Sequence, residues 1–174
     1  MHKEEGLSFK NVISFNLDEY YPMEPDSINS YVRFMKELLF DQVDILPENV
    51  HIPNGTLTKE EIADYCAGYE TKIEALGGID LQILGIGGNG HIGFNESGSL
   101  QNSKTRLVAL DHITRVAASS DFKGLSNTPR TAITLGVKKI MEAKQVILMA
   151  WGVGKSNIVK ASVEGTVTNQ IPAS

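Results

Sequence analysis

The amino-acid sequence predicts an α/β fold with an open, mostly parallel sheet flanked by helices. Short apolar segments rich in β-branched residues alternate along the chain with amphipathic segments of helical periodicity. Several of the apolar segments are continuous, which is typical of buried strands in a parallel sheet. The chain has 174 residues, of which 41% are hydrophobic, so we expect a single domain over residues 1–174 with a substantial core.

The first half of the chain contains the best-marked helix. We expect, in order, a strand at 11–17, a loop with two prolines at 18–25, a helix within 27–43, an extended link at 49–53 and a helix at 58–78. The last of these is well defined, because Thr58 and Glu61 form a capping box and Gly77 and Gly78 provide a stop.

The second half repeats the alternation of strand and helix. We expect strands at 79–87, 105–110 and 145–152, a strand or connection at 131–136, and helices at 137–143 and 155–165. This order is typical of a Rossmann-like sheet, which usually has more strands than are predicted here. We therefore expect the sheet to be incomplete at both ends.

Composition limits the functional class. The formal net charge of −5 argues against a nucleic-acid binder, which usually presents a basic face. The single cysteine, Cys66, excludes a disulfide within the chain and a thiolate metal cluster. No segment approaches the ~18 apolar residues of a membrane span, and the start of the chain lacks an apolar signal core. We predict a cytoplasmic protein that binds no metal, nucleic acid or membrane.

The segment LGIGGNGHIGFNE, residues 84–96, is the strongest candidate site. Gly85, Gly87 and Gly90 fit the dinucleotide pattern G-x-G-x-x-G, and Asp111 lies close to the expected position of a ribose-binding acid. The residues that follow Gly90 have no helical periodicity, however, so no helix N-terminus is available for a pyrophosphate. A dinucleotide site is therefore disfavoured, and the glycines are better explained by close approach of a small ligand.

The segment GVGKS, residues 152–156, resembles a phosphate loop only in part. A P-loop requires a glycine where this chain has Met149, so ATP binding has little support. A strand, a glycine turn, Lys155 and a helix start can still form a compact anion site. The alternative is that Lys155 is simply a solvated residue.

His91 and Glu96 have the spacing of an acid–base pair. His91 follows the carboxyl end of a predicted strand, and Glu96 could return across Gly93 to orient the imidazole. The alternative is a histidine that caps a turn beside a solvated glutamate. Asp18 and Glu19 end the first predicted strand, where sites of α/β proteins form, or they could begin a solvated loop. If this strand and the strand before His91 are neighbours, Asp18 could face the same pocket as His91.

The four segments NLDEYY, LGIGGNGHIGFNE, TRLVALDHITRV and WGVGKSNIVKASVEG occur in an order that resembles the glucosamine-6-phosphate deaminase (isomerase) family. The resemblance spans nearly the whole chain, and the string from Gly90 to Glu96 is its most diagnostic part. Among the variants, the chain is most similar to deaminase-like proteins in which this module can precede a deacetylase-like domain. The family converts glucosamine 6-phosphate and water into fructose 6-phosphate and ammonia without a metal or organic cofactor.

The resemblance implies a role for each candidate catalytic residue. Asp18 matches the base that moves a proton from C2 to C1, and His91 matches the residue that opens the sugar ring. Glu96 matches the carboxylate partner of His91. Asn89 stands where many members have an aspartate of the same group. An amide can position a neighbour but cannot act as a carboxylate base.

The expected ligand is a small sugar phosphate, and the resemblance places its binding residues. Lys155 matches a phosphate-binding lysine, and Gly87 and Gly88 are the candidate substrate-binding glycines. Ser120 falls where well-studied members carry an arginine that contacts phosphate. This difference makes the substrate less certain from sequence alone.

Regulation and assembly are also inferred from the resemblance. Arg106 matches an arginine of the family's allosteric phosphate site, but Val108 replaces the second basic residue, so allosteric activation is not expected. A homo-oligomer is expected, since family members commonly assemble. The alternative functions are a 6-phosphogluconolactonase-type hydrolase, which shares the fold, and a non-catalytic sugar-phosphate binder.

Overall fold

The computed structural model describes residues 2–174, with the side chains described from Glu4 onward. Six α-helices lie within that range: α1 (His2–Glu5), α2 (Tyr31–Leu38), α3 (Ile62–Ala75), α4 (His112–Ala118), α5 (Val137–Met141) and α6 (Ser156–Glu164). The strands of the same range are β1 (Ser14–Phe15), β2 (Asp18–Tyr21), β3 (Val50–His51), β4 (Leu81–Gly85), β5 (Arg106–Ala109), β6 (Thr131–Thr134) and β7 (Gln145–Met149). Short 3₁₀ turns occupy Phe40–Gln42, Pro47–Asn49 and Val153–Lys155. None of the described helices is both long and apolar enough to cross a membrane.

The strands form three hydrogen-bonded groups. Strands β1 and β3 are parallel, strands β4 and β7 are parallel, and β2, β6 and β5 form an antiparallel sheet with β6 in the centre. The same fold class, mixed α/β with parallel strands flanked by helices, was predicted from the sequence and is confirmed. The antiparallel sheet is the part that the sequence did not indicate.

Residues 18–21 were predicted as the start of a loop, and this prediction is wrong. They form strand β2, which pairs with β6 from Asp18 opposite Thr134 to Tyr21 opposite Thr131. Both faces of β2 are covered, so an acid and two tyrosines are buried in consecutive positions instead of alternating with exposed residues. A pattern search for alternating polarity cannot detect such a strand.

Helices α3 and α4 show when a helix can be predicted from its local sequence. The end of α3 was predicted correctly: Gly77 and Gly78 both have positive φ, and the Gly78 N–H reaches back to the Ile73 carbonyl. The Glu61 carboxylate accepts from the Thr58 N–H at 2.8 Å, as the capping box predicts. Helix α4 was not predicted, because its seven residues are too few for a clear periodicity.

The core has three clusters that share strand β6. Ala132 joins an aromatic cluster, Ile133 joins a cluster under α3, and the adjacent Leu135 joins a cluster beneath β4. The aromatic cluster contains Tyr20, Phe94 and Phe122 and therefore links β2 to the glycine-rich segment. Because residues 132–134 of β6 are buried, the loops at its carboxyl end rest on a rigid base.

Candidate functional site

The segment from 86 to 96 forms a tight loop at the carboxyl end of β4. The Gly87 N–H donates to the His91 carbonyl at 2.9 Å, and the Gly90 N–H donates to the Gly87 carbonyl at 3.0 Å. Gly90 has a φ of +84°, which favours glycine. A Cβ on Gly87 would collide with the His91 imidazole. The backbone at Gly87 and the imidazole ring are therefore in direct contact, and only glycine allows it.

The imidazole of His91 is held through its Nδ1 atom. Nδ1 lies 2.8 Å from Asn89 Oδ1, 3.2 Å from Thr114 Oγ1 and 3.3 Å from Glu96 Oε2. A carboxylate and an amide oxygen can only accept, so Nδ1 carries a proton. Within residues 2–174, no hydrogen bond reaches Nε2, and the side chain is 20% exposed. The arrangement presents Nε2 as an acceptor at the mouth of the loop.

Glu96 is the buried carboxylate of this group. It accepts from Asn89 Nδ2 at 2.9 Å and from the Asp111 N–H at 3.2 Å. Burial raises the pKa of Glu96, but hydrogen bonds from His91, Thr114 and Asn89 outweigh burial and bring its pKa to about 2. Glu96 is therefore ionised at neutral pH.

Asp18 approaches the same loop from strand β2. Its Oδ2 atom lies so close to Gly93 that a Cβ there would sit 3.1 Å from it, and Thr134 Oγ1 lies at the same distance. Gly93 is two residues from His91 and has a φ of +55°, so the chain turns over the carboxylate at this point. The Asp18 carboxyl therefore lies against the same segment that carries His91, at a glycine two residues further along the chain.

The Asp18 carboxyl lies in a poorly solvated environment. Burial, with a second contribution from the negative charge of Glu19, raises the pKa of Asp18 to about 7. Tyr20 and Tyr31 lie close enough for Asp18 to raise their pKa values, after the larger effect of burial. This carboxyl is therefore able to exchange a proton near neutral pH.

Glu19 has a structural role in this arrangement. It faces away from Asp18 on strand β2, and its Oε2 accepts from the N–H groups of Tyr31 and Val32 at the start of α2. Burial raises the pKa of Glu19 to about 7, and these backbone hydrogen bonds oppose the rise. Glu19 therefore anchors a helix N-terminus and does not face the loop.

Lys155 meets the loop from the neighbouring strand. Strands β4 and β7 are parallel, so the residues after each strand share one edge of the pair. Lys155 Nζ donates to the Ile86 carbonyl at 2.6 Å. A Cβ on Gly88, two residues after Ile86, would meet nothing within 4 Å, so the space at this glycine is open.

The comparison with known families decides the relationship. The family profile for glucosamine-6-phosphate isomerases/6-phosphogluconolactonase matches residues 1–174. The chain belongs to this family. It is 46% identical over 173 residues to a glucosamine-6-phosphate deaminase of Thermoanaerobacter sp. (strain X514), covering 99% of this chain and 68% of that protein.

Two further relatives refine the family assignment. A glucosamine-6-phosphate deaminase-like protein of Bacteroides thetaiotaomicron is 52% identical over all 174 residues, which span only 26% of its length. The solved structure of a monomeric glucosamine-6-phosphate deaminase of the NagB superfamily superposes with a TM-score of 0.94 at 38% identity, covering 99% of this chain and 70% of that one. The 6-phosphogluconolactonase of Thermotoga maritima, at 23% identity and a TM-score of 0.69, shares the fold.

Arg106, Val108 and Ser120, which were compared by sequence with phosphate-binding residues of the family, lie at the edge of the site. Arg106 Nη1 donates to Asn95 Oδ1 at 3.0 Å, and Nη2 donates to Ser99 Oγ at 3.3 Å. Arg106 and Val108 line an open cleft of about 470 Å³ whose wall also includes Glu96. Ser120 is exposed in the turn after α4. Arg106 therefore braces the loop through the buried Asn95.

Sequence reasoning missed two members of the site, Asp111 and Thr114. Asp111 was considered only within the disfavoured dinucleotide pattern, and Thr114 was not considered. Both lie at the start of α4, three residues apart, so they face the same side of its first turn. A predicted helix starting at Asp111 would have indicated that Asp111 and Thr114 lie together on one side of its first turn. Among the described residues, no group of three or more metal-ligating side chains is arranged to hold an ion.

Proposed function

We propose that this chain carries the active site of a glucosamine-6-phosphate deaminase, which converts glucosamine 6-phosphate and water into fructose 6-phosphate and ammonia. The observation that carries the proposal is the approach of Asp18 to the turn that also presents His91. The deaminase names of relatives at 41–52% identity support it. The chain spans 26–71% of the length of these relatives, so the activity of the whole protein is part of the proposal.

Ring opening is the first chemical step in this proposal. His91 Nε2 accepts the proton of the anomeric hydroxyl and returns a proton to the ring oxygen, which gives the open-chain aldehyde. The protonated Nδ1 keeps the ring oriented through Asn89 and Glu96. The ionised Glu96 stabilises the imidazolium while the proton resides on Nε2.

Isomerisation follows and requires a different group. Asp18 removes the proton from C2 while O1 gains a proton from solvent, which gives an enolamine, and Asp18 then delivers its proton to C1. The product is an imine at C2, which water hydrolyses to the ketone and ammonia. One carboxylate can serve both adjacent carbons if it lies beside them. A pKa of about 7 is well matched to taking and returning a proton near neutral pH.

Substrate binding relies on the phosphate group. In the proposal, Lys155 and the open backbone at Gly87 and Gly88 bind the phosphorylated sugar at the shared edge of β4 and β7. Remote binding of a dianion can hold the sugar in register with His91 and Asp18.

The test is a pair of parallel assays on the same preparation. We expect ammonia and fructose 6-phosphate to form in equal amounts from glucosamine 6-phosphate, with no hydrolysis of 6-phosphogluconolactone. The matched control is Asp64→Asn, which alters an exposed acid of α3 and should leave both results unchanged. Lactone hydrolysis without ammonia would assign a lactonase. Calorimetric binding of the substrate without turnover would assign a non-catalytic binder.

Assembly and location complete the proposal. We propose a homo-oligomer in the cytoplasm, the first because family members commonly assemble and the second because the chain has a single cysteine. One solved relative is a monomeric deaminase. Light scattering at several concentrations measures the mass directly, and a monomer at all of them would contradict the oligomer.

A further inference from the structure

Asp111 occupies an unusual position for an aspartate at a helix start. It is the N-cap residue of α4, yet its side chain makes no capping hydrogen bond to the first turn of that helix. Its Oδ2 atom instead accepts from Asn89 Nδ2 at 3.2 Å, and its backbone N–H donates to Glu96 Oε1 at 3.2 Å. The carboxylate is therefore directed at the loop and not at its own helix.

These contacts determine which way the Asn89 amide points. Its two N–H donors meet Glu96 Oε2 and Asp111 Oδ2, which are both carboxylate oxygens and accept only. The opposite orientation would place the amide oxygen against two carboxylates, which is repulsive. Asn89 Oδ1 must then face His91 Nδ1, where it lies at 2.8 Å.

We propose that Asp111 is a positioning residue that fixes the amide of Asn89 and, through it, the Nδ1–H tautomer of His91. The inference rests on the proposed function, since this tautomer leaves Nε2 free for the ring-opening step. Asp111 acts through Asn89, in the way that a third group orients the base in a catalytic triad.

The same geometry explains the amide at position 89. An aspartate at 89 would place a third carboxylate within hydrogen-bond distance of Glu96 and Asp111, with no proton donor between them. Asn89 is therefore required by Asp111 in this chain. Asn89 and Asp111 form a matched pair, and a carboxylate at 89 disrupts the site while Asp111 keeps its own.

The first test measures the tautomer itself. In ¹⁵N-histidine-labelled protein, with His91 assigned by comparison with His91→Gln, we expect the Nδ1–H form to dominate. Asp111→Ala should raise the population of the Nε2–H form, whereas Asp111→Asn, which retains an acceptor oxygen, should largely preserve the wild-type signal. An unchanged tautomer in Asp111→Ala overturns the inference. This readout requires no turnover, so it stands even if ammonia is never released and the proposed function fails.

The second test is a double-mutant cycle on turnover. Asp111→Ala should lower kcat by about 10-fold with KM nearly unchanged, which is less than the ~100–10,000-fold that a positioned acid–base group itself contributes. Asn89→Asp should lower kcat more strongly, and adding Asp111→Asn should restore part of the loss, because the new amide can donate to the new carboxylate. Equal loss in Asn89→Asp with and without the second substitution overturns the pairing. Thermal unfolding of each variant identifies any that fail to fold, and Asp64→Asn is the control.

Discussion

The carboxyl groups of Glu96 and Asp18, which both lie at the glycine-rich loop, have opposite surroundings. Glu96 receives hydrogen bonds from an amide, a hydroxyl and an imidazole, and its pKa is about 2. Asp18 lies against a glycine turn and an aromatic cluster, and its pKa is about 7. Both side chains carry the same functional group, so the difference comes entirely from their neighbours.

This contrast suits the two carboxyl groups to two different roles, charge stabilisation and proton transfer. A carboxylate that stays ionised can stabilise a cationic imidazole but is a poor proton acceptor at neutral pH. A carboxyl with a pKa near 7 is suited to taking and returning a proton. Pairs of titratable groups with diverging pKa values are the pattern by which acid–base roles are recognised. The following experiments disturb one of these roles at a time.

The largest effect is expected from Asp18→Asn. The amide cannot accept a proton from C2, so kcat should fall by at least ~1,000-fold, with KM within a few-fold of wild type. The raised pKa of Asp18 also predicts that Asp18→Asn is more stable than wild type at high pH. The favourable contribution of the Asp18 carboxyl is present below pH 3.8 and is lost as the pH rises through about 7, so the variant should unfold at a higher temperature than wild type at pH 8. Retained turnover would reject Asp18 as the base.

The next largest effect is expected from disturbing the group formed by His91 and Glu96. Gly87→Ala forces a methyl group into the His91 ring, so the imidazole must leave its position and kcat should fall by about 100-fold. Gly85→Ala is the matched control, because its methyl group meets nothing within 4 Å and Gly85 is not part of the proposed binding site. Steady-state kinetics of the two variants compares them directly. Equal losses would show that glycine is needed there for flexibility and not for contact with the ring.

A smaller effect is expected in the pH profile. Because Asp18 must be ionised to act, kcat/KM should decline as the pH falls through about 7, while Glu96 remains ionised throughout. Glu19→Gln removes a negative charge that raises the pKa of Asp18, so the acid limb should move to lower pH. Using one substrate for both proteins cancels the titration of the sugar phosphate. Superimposable acid limbs would mean that Glu19 does not influence the reacting group.

The smallest effect is expected from Thr114→Val, which keeps the shape of the side chain and removes its hydroxyl. Loss of one hydrogen bond should reduce the free energy of unfolding by about 1 kcal/mol and kcat by a few-fold. The lowered pKa of Glu96 adds stability above pH 4.5 that is lost as the pH falls towards 2. The variant should therefore unfold at a higher pH during acid titration. Thr114→Ser keeps the hydroxyl and should behave like wild type.

Several elements could be predicted because their signals are local. The end of α3 follows from a pair of glycines, and strands β4 and β7 follow from continuous apolar segments. The capping box predicted the start of this helix at residue 58, but α3 begins at Ile62. Strand β2 could not be predicted in this way. Its acid Glu19 is buried because it binds the N-terminus of α2, a contact between residues twelve apart in the sequence.

The sequence by itself determined the α/β class and the glycine-rich loop, and it contained the residues that we propose as catalytic within that loop, His91 and Glu96. These depend on periodicity and on the conformational freedom of glycine, which act over a few residues. Only the tertiary structure decided that Asp18 lies beneath Gly93, that Asp111 reaches Asn89, and that the two carboxyls differ in pKa. Desolvation and hydrogen bonding depend on which distant segments pack together, and no local pattern records that.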